Sequence, residues 1–165
     1  MRFIIPILFS VIFLTSCNEA EKNEVYNENN TTVVNGVVYN IDEKPINGLY
    51  KTYYPDGTVK MEISSHNGIP EGLGKFYHED GSLAYQGNFK QGKPDGTMLN
   101  YYTDGKVHNE INYLEGQLHG TQKTYDDKGE IIIEVTFDNG KAINGYTVVK
   151  GEKVELSAAE LAELE

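Results

Sequence analysis

The chain is 165 residues long, a length that fits one domain. It carries 25 acidic residues against 14 basic ones, a net charge of −11, and Arg2 is its only arginine. That balance excludes a basic nucleic-acid surface, and a single cysteine excludes an internal disulfide and a cysteine-rich zinc site.

Met1-Arg2 is a short basic start, and Phe3 to Leu14 is an apolar run interrupted by Pro6 and Ser10. The run is shorter than the ~20 residues that cross a bilayer and matches the apolar core of a secretory signal. Leu14-Thr15-Ser16-Cys17 follows. An apolar residue, two small ones and a cysteine resemble the lipobox of bacterial lipoproteins. The resemblance implies a signal peptide over residues 1–16, diacylglyceryl transfer to the Cys17 thiol and cleavage before it. Buried acyl chain contributes ~0.8 kcal/mol per CH₂, so two or three chains hold a protein on a membrane where one does not. A plain signal peptide with an incidental cysteine is the competing reading. Asn18, where inner-membrane lipoproteins carry Asp, points to the outer membrane of a Gram-negative cell. Residues 17–35 are rich in Asn and Glu and poor in apolar side chains, which predicts a lipid-anchored, disordered tether.

The middle of the chain repeats with a period of 24. Gly48, Gly72, Gly96 and Gly120 mark the register; Tyr53, Tyr77, Tyr101 and Tyr125 follow at one offset, Gly57, Gly81, Gly105 and Gly129 at another, and Gly68, Gly92, Gly116 and Gly140 at a third. Each unit reads as a hairpin. Asp56-Gly57, Asp80-Gly81 and Asp104-Gly105 predict the tight turns, since Asp-Gly supplies positive φ. Lys128-Gly129 predicts a looser one, and a short loop is expected to lead from each unit to the next. The second strands alternate. Val59, Met61, Ile63, Ser65; Leu83, Tyr85, Gly87, Phe89; Val107, Asn109, Ile111, Tyr113; and Ile131, Ile133, Val135, Phe137 form one face, apolar except for Ser65, Gly87 and Asn109. Lys60, Glu62, Ser64, His66 and their equivalents form the other. Period 2 marks a sheet buried on one side, whose apolar face needs cover from curvature, terminal segments or a partner.

Residues 36–156 are therefore expected to form the folded domain, with core repeats over 48–143. The fold class is all-β: an elongated, twisted, mainly antiparallel meander of four 24-residue hairpin repeats with short capping elements and a small C-terminal helix. Val37-Val38-Tyr39 is expected to add a strand before unit one. Gly145 to Val149 begins a fifth unit one residue out of register, and Lys150-Gly151 predicts a final turn. Over 157–165, Ser157-Ala158-Ala159-Glu160 is a capping-box pattern with Leu156 and Leu161 placed as a hydrophobic staple.

The frame Asn-Gly, then Gly-x-x-x-x-Tyr-x-x-Asp-Gly, over residues 47–145 resembles the MORN-repeat variant, found in bacterial proteins grouped as the YwqK family of antitoxins. The resemblance implies a protein-binding role and, through the family name, neutralisation of a toxin; the lipobox sets this chain apart from a cytosolic antitoxin.

His66, His78, His108 and His119 fall at four different repeat offsets, with no metal-binding spacing between them. No phosphate loop or nucleophile elbow is present, so no catalytic residue, cofactor or metal is assigned. Equivalent turns two strands apart lie ~9–10 Å from one another, too far for Asp56, Asp80 and Asp104 to share a calcium ion whose ligands sit at ~2.3–2.6 Å. The candidate binding residues are tyrosines. Tyr53, Tyr77, Tyr101 and Tyr125 either pack beneath neighbouring strands or make an aromatic platform for a peptide or sugar. Tyr54 and Tyr102, on the opposite face of their strands, are candidates for exposed contacts. The expected function is a non-enzymatic protein-interaction or scaffold module of the cell envelope, held by acyl chains, with an unidentified protein partner and no nucleic acid. The alternatives are an antitoxin or immunity protein, and a glycan binder acting through its tyrosines.

Overall fold

The computed structural model describes residues 24–164; the expected signal segment, Cys17 and residues 18–23 lie outside them. Along the chain come β1 (Glu24–Asn27), β2 (Thr31–Val34), β3 (Val37–Asn40), β4 (Gly48–Tyr53), β5 (Val59–His66), β6 (Ile69–Tyr77) and β7 (Leu83–Lys90). Then follow β8 (Lys93–Tyr101), β9 (Val107–Leu114), β10 (Gln117–Leu118), β11 (Gly120–Tyr125), β12 (Ile131–Asp138), β13 (Lys141–Val149), β14 (Glu152–Glu155) and α1 (Ala158–Ala162). All these strands but β2 and β3 join one 12-stranded sheet, in the order β1-β4-β5-β6-β7-β8-β9-β11-β12-β13-β14, with β10 on β9. From β4 onward every pairing is antiparallel, so the four expected hairpins are one continuous meander.

Two kinds of turn alternate, and their roles are the reverse of the expectation. The tightest turns lie between units. Asn67 (φ 51°) and Gly68 (φ 73°) are both left-handed and alone connect β5 to β6, the signature of a two-residue hairpin turn of type I′. Gln91-Gly92, Glu115-Gly116, Asn139-Gly140 and Lys150-Gly151 repeat the positive pair. The Asp-Gly turns have three-residue loops. Gly57 N–H donates to the Tyr54 carbonyl at 2.9 Å, and Tyr54 N–H to the Thr58 carbonyl at 2.8 Å. Only the glycine there is left-handed, as a type I turn followed by a bulge requires. Lys128-Gly129 is consequently no looser than the others: Gly129 N–H reaches Asp126 O at 3.1 Å and Asp126 N–H reaches Glu130 O at 2.9 Å. The residue before the glycine needs no positive φ, so lysine serves there.

Within the expected tether, residues 24–27 and 31–34 are strands. Residues 24–27 pair in parallel with β4, Tyr26 beside Tyr50, and Tyr26 packs on a core of Val38, Ile46, Tyr50 and Ile63. β3 does not add to the repeat sheet as expected. It pairs with β2 in a separate hairpin, and Val38 N–H is used on the Gly68 carbonyl at 2.9 Å.

The apolar face is covered in two ways. At its ends terminal segments pack on it: β1 and residues 38–46 at one end, Leu156 and Leu161 over Val135, Phe137 and Ala142 at the other. The helix starts in the expected capping box, Ser157 and Glu160 exchanging both hydrogen bonds. In the middle the sheet covers itself in part: Met98 is buried, while Tyr85, Phe89, Val107 and Ile111 stay half-buried. One lateral row runs Tyr50, Ile63, Gly74, Gly87, Met98, Ile111, and its glycines make room for neighbours. A Cβ added to Gly74 would lie 2.8 Å from Cε2 of Phe89, and one added to Gly87 would overlap the sulfur of Met98. Phe76 stacks on Tyr85 at 4.1 Å alongside.

Candidate binding face

The opposite face is polar and ordered in rows. Strand pairing places Lys51, Glu62, Lys75, Gln86, Leu99 and Glu110 side by side, then Lys123, Glu134 and Tyr146. Glu62, Gln86, Glu110 and Glu134 hold one repeat offset; Lys51, Lys75, Leu99 and Lys123 hold another. Opposite charges therefore meet across four of these eight strand boundaries, a favourable cross-strand arrangement. Lys51 Nζ is 2.5 Å from Glu62 Oε1.

The tyrosines of the repeat use this row. Tyr77 donates its hydroxyl to Glu62 Oε2 at 3.1 Å, and the Tyr101 hydroxyl accepts from Gln86 Nε2 at 2.6 Å. Tyr125 lies close enough to Glu110 for the carboxylate to act on its hydroxyl. Tyr77 and Tyr101 each start on one strand and are tied at the hydroxyl to an earlier strand of the meander. The rings are thus held across the sheet, half-buried. Burial, then the Glu62 charge, pushes the Tyr77 hydroxyl pKa up; burial and Glu110 do the same at Tyr125. The Lys51 hydrogen bond, foremost, holds the Glu62 carboxyl below its ordinary value. Tyr53 begins the row, and its backbone N–H donates to Glu28 Oε1 at 3.2 Å.

The other candidates have local work. Tyr54 and Tyr102 each donate to the carbonyl of the next unit's tyrosine, Tyr77 and Tyr125, at 2.7 Å. They are half-buried ties between units where exposed contacts were expected. Asp56, Asp80 and Asp104 each accept from the backbone N–H two residues on, at 2.9, 2.9 and 3.1 Å. Those bonds hold their carboxyls below the ordinary value, side-chain bonds leading at Asp56 and Asp80 and the backbone bond at Asp104. In the fourth unit Asp126 does this duty from two positions earlier, taking the N–H groups of Lys128 and Glu130. Gly57, Gly81, Gly105 and Gly129 all sit at positive φ. Among the described residues no three His, Cys, Asp or Glu side chains gather as a metal site. Cys17 lies outside the described residues.

Sequence reasoning named the tyrosines but missed their partners. The signal was present, because Glu62, Gln86, Glu110 and Glu134 recur with the same period as the glycines. What pairs them with tyrosine fifteen residues later is the register of adjacent strands, which spacing alone leaves open.

Among solved structures, the chain is similar to a mutant of S. aureus TarM in complex with fondaparinux, alpha-GlcNAc-glycerol and UDP. The likeness covers 76% of this chain and 21% of that one, at 15% identity and a TM-score of 0.29. The chain spans about a fifth of that structure's length, and a likeness at this score says nothing of activity. Comparison with curated proteins gives no match. The family model of the MORN repeat variant matches four times, over residues 46–67, 70–91, 94–115 and 118–139, in phase with the hairpins described above. These four matches take in just over half of the chain, which belongs to the MORN repeat variant family.

Proposed function

We propose that this protein is a non-enzymatic binding module of the bacterial cell envelope, anchored through acyl chains on Cys17, whose ligand surface is the polar tyrosine face. One observation carries the reading: the tyrosines of successive units, with their carboxylate or amide partners, recur in register on a single continuous face. A stack of repeats offers an extended surface, and its affinity comes from many equivalent contacts. The opposite face is covered at its ends by terminal segments and half-buried in its middle. The lipobox supports the anchor and the envelope location.

The test is site-specific photo-cross-linking in the source cells, with a photoreactive amino acid at position 101 and, in a second strain, at position 111 on the apolar face. A specific adduct from 101 and none from 111 supports the reading. Adducts from 111 alone move the ligand surface to the apolar face, and adducts from neither site overturn it. A toxin as the captured protein turns the general reading into the antitoxin one, as the family resemblance implies.

A further inference from the structure

We propose that the polar tyrosine face binds a basic, proline-rich segment in the polyproline II conformation, lying across the strands with a proline on each tyrosine; the proposal rests on that face being the ligand surface.

The argument begins with spacing. Tyr77 and Tyr101 lie on β6 and β8, two strands apart. At ~4.7–4.9 Å per strand the tyrosines recur every ~9.4–9.8 Å. A polyproline II helix rises 3.1 Å per residue with three residues per turn, so one of its edges recurs every ~9.3 Å. An extended β-strand repeats each side every ~6.6–6.8 Å and falls out of step within one tyrosine interval. A strand added by backbone pairing is also unavailable here, because every strand along the sheet's path from β4 to β13 already has partners on both edges.

Chemistry agrees with spacing. The rings of Tyr77 and Tyr101 are fixed by Glu62 and Gln86, so ordering them costs a ligand little, and polyproline II is likewise preformed. Aromatic-lined surfaces recognise this helix by packing prolines against the rings. Between Tyr77 and Tyr101 the row of charges is interrupted: Gln86 pairs with Leu99 where the equivalent pairs are Glu62-Lys75 and Glu110-Lys123. This uncharged seat suits a proline ring; along the row it is bordered by Lys75, itself paired with Glu62, on one side and by Glu110 on the other. The chain's net charge of −11, with 14 lysines and arginines against 25 acids, favours a cationic ligand and repels an anionic one.

The experiment titrates the purified full-length protein with synthetic peptides. Twelve tyrosines and no tryptophan make intrinsic tyrosine fluorescence a direct reporter. One lysine-flanked peptide carries proline at every third position; a second has the same composition with proline at every fourth. The expected result is saturable binding of the first, at least tenfold tighter than the second. Leu99→Lys, which restores charge to the seat, and Tyr101→Ala are each expected to weaken binding at least tenfold. Asn29→Ala, an exposed position in the turn between β1 and β2, serves as the control. Circular dichroism and melting temperature establish that each variant is folded. Equal affinity for the two spacings, or a folded Leu99→Lys that binds unchanged, overturns the proposal. Tyr101-dependent binding of a neutral chitin oligosaccharide with none of the peptide overturns it in favour of a glycan. If both ligands fail while cross-links form at position 101, this proposal falls and the binding-module reading stands; if cross-links fail too, both fall.

Discussion

Met98 occupies the space that a side chain on Gly87 would fill. The two residues are register partners on β7 and β8, and a Cβ on Gly87 would overlap the Met98 sulfur and lie 3.1 Å from the Met98 Cα. Met98 is 8% exposed as a result. Glycine and a long flexible side chain thus bury one another within a single sheet, at the middle of a face that terminal segments reach only at its ends.

Gly87→Ala is expected to destabilise the fold by about 1–3 kcal/mol, the usual cost of overpacking. Gly87 has no positive φ, so the cost is steric. Pairing it with Met98→Ala should recover part of the loss, giving a double-mutant cycle with favourable coupling; strictly additive losses in chemical denaturation would show that the two do not share that space.

The two turn types respond differently to substitution. Gly105 has open space around its Cα but a φ of 83°; Gly105→Ala should cost about 1–2 kcal/mol from backbone strain alone. Glu115 holds a φ of 51° in the inter-unit turn, a conformation that asparagine tolerates better. Glu115→Asn should raise the melting temperature, stabilising by about 0.5–1 kcal/mol. A lowered melting temperature for Glu115→Asn would contradict the assignment of the tight turn.

Acid should weaken the fold through identifiable carboxyls. The Glu62 value is depressed in the folded state, so its contribution is fully present above the ordinary carboxyl pKa of about 4.3 and is lost as pH falls through the lower native value. Asp56, Asp80, Asp104 and Asp126 act in the same direction. Glu62→Gln is therefore expected to flatten, without abolishing, the fall in stability between about pH 4 and 2. At the other extreme Tyr77, Tyr85 and Tyr125 have raised values, so stability should also fall as pH climbs past about 10. Denaturant midpoints measured across pH check both limbs.

The C-terminal helix is a lid on Val135, Phe137 and Ala142. Leu161→Ser should remove its anchor at a cost of about 1–2 kcal/mol, a partial side-chain burial, and speed amide exchange in β12 and β13 above that in β6 and β7. Uniform exchange across the sheet would mean that the helix covers nothing of consequence.

Cys17→Ala should move the protein from the membrane fraction to the soluble one, because lipid and not lysine clusters is the expected anchor. Continued sedimentation with membranes would remove the acyl-anchor proposal.

Sequence alone determined the repeat, its hairpin nature and the two faces of the sheet. Glycines at a strict 24-residue period fix where the chain reverses, and alternation along β5, β7, β9 and β12 fixes which side chains share a face. Both are local facts, readable within one unit. Tertiary structure decided the rest. Which glycine pair made the tight turn depended on whether one or two residues were left-handed, and Asn67-Gly68 and Asp56-Gly57 look equally suited on paper. The joining of Tyr26 to the core and the bond of the Val38 N–H to Gly68 required contacts more than twenty residues away. The bonds of Tyr54 to the next unit and of Tyr77 back across the sheet to Glu62 likewise depend on how strands sit side by side. A period states that units are alike; only the lateral register of one strand on its neighbour states which of their side chains meet.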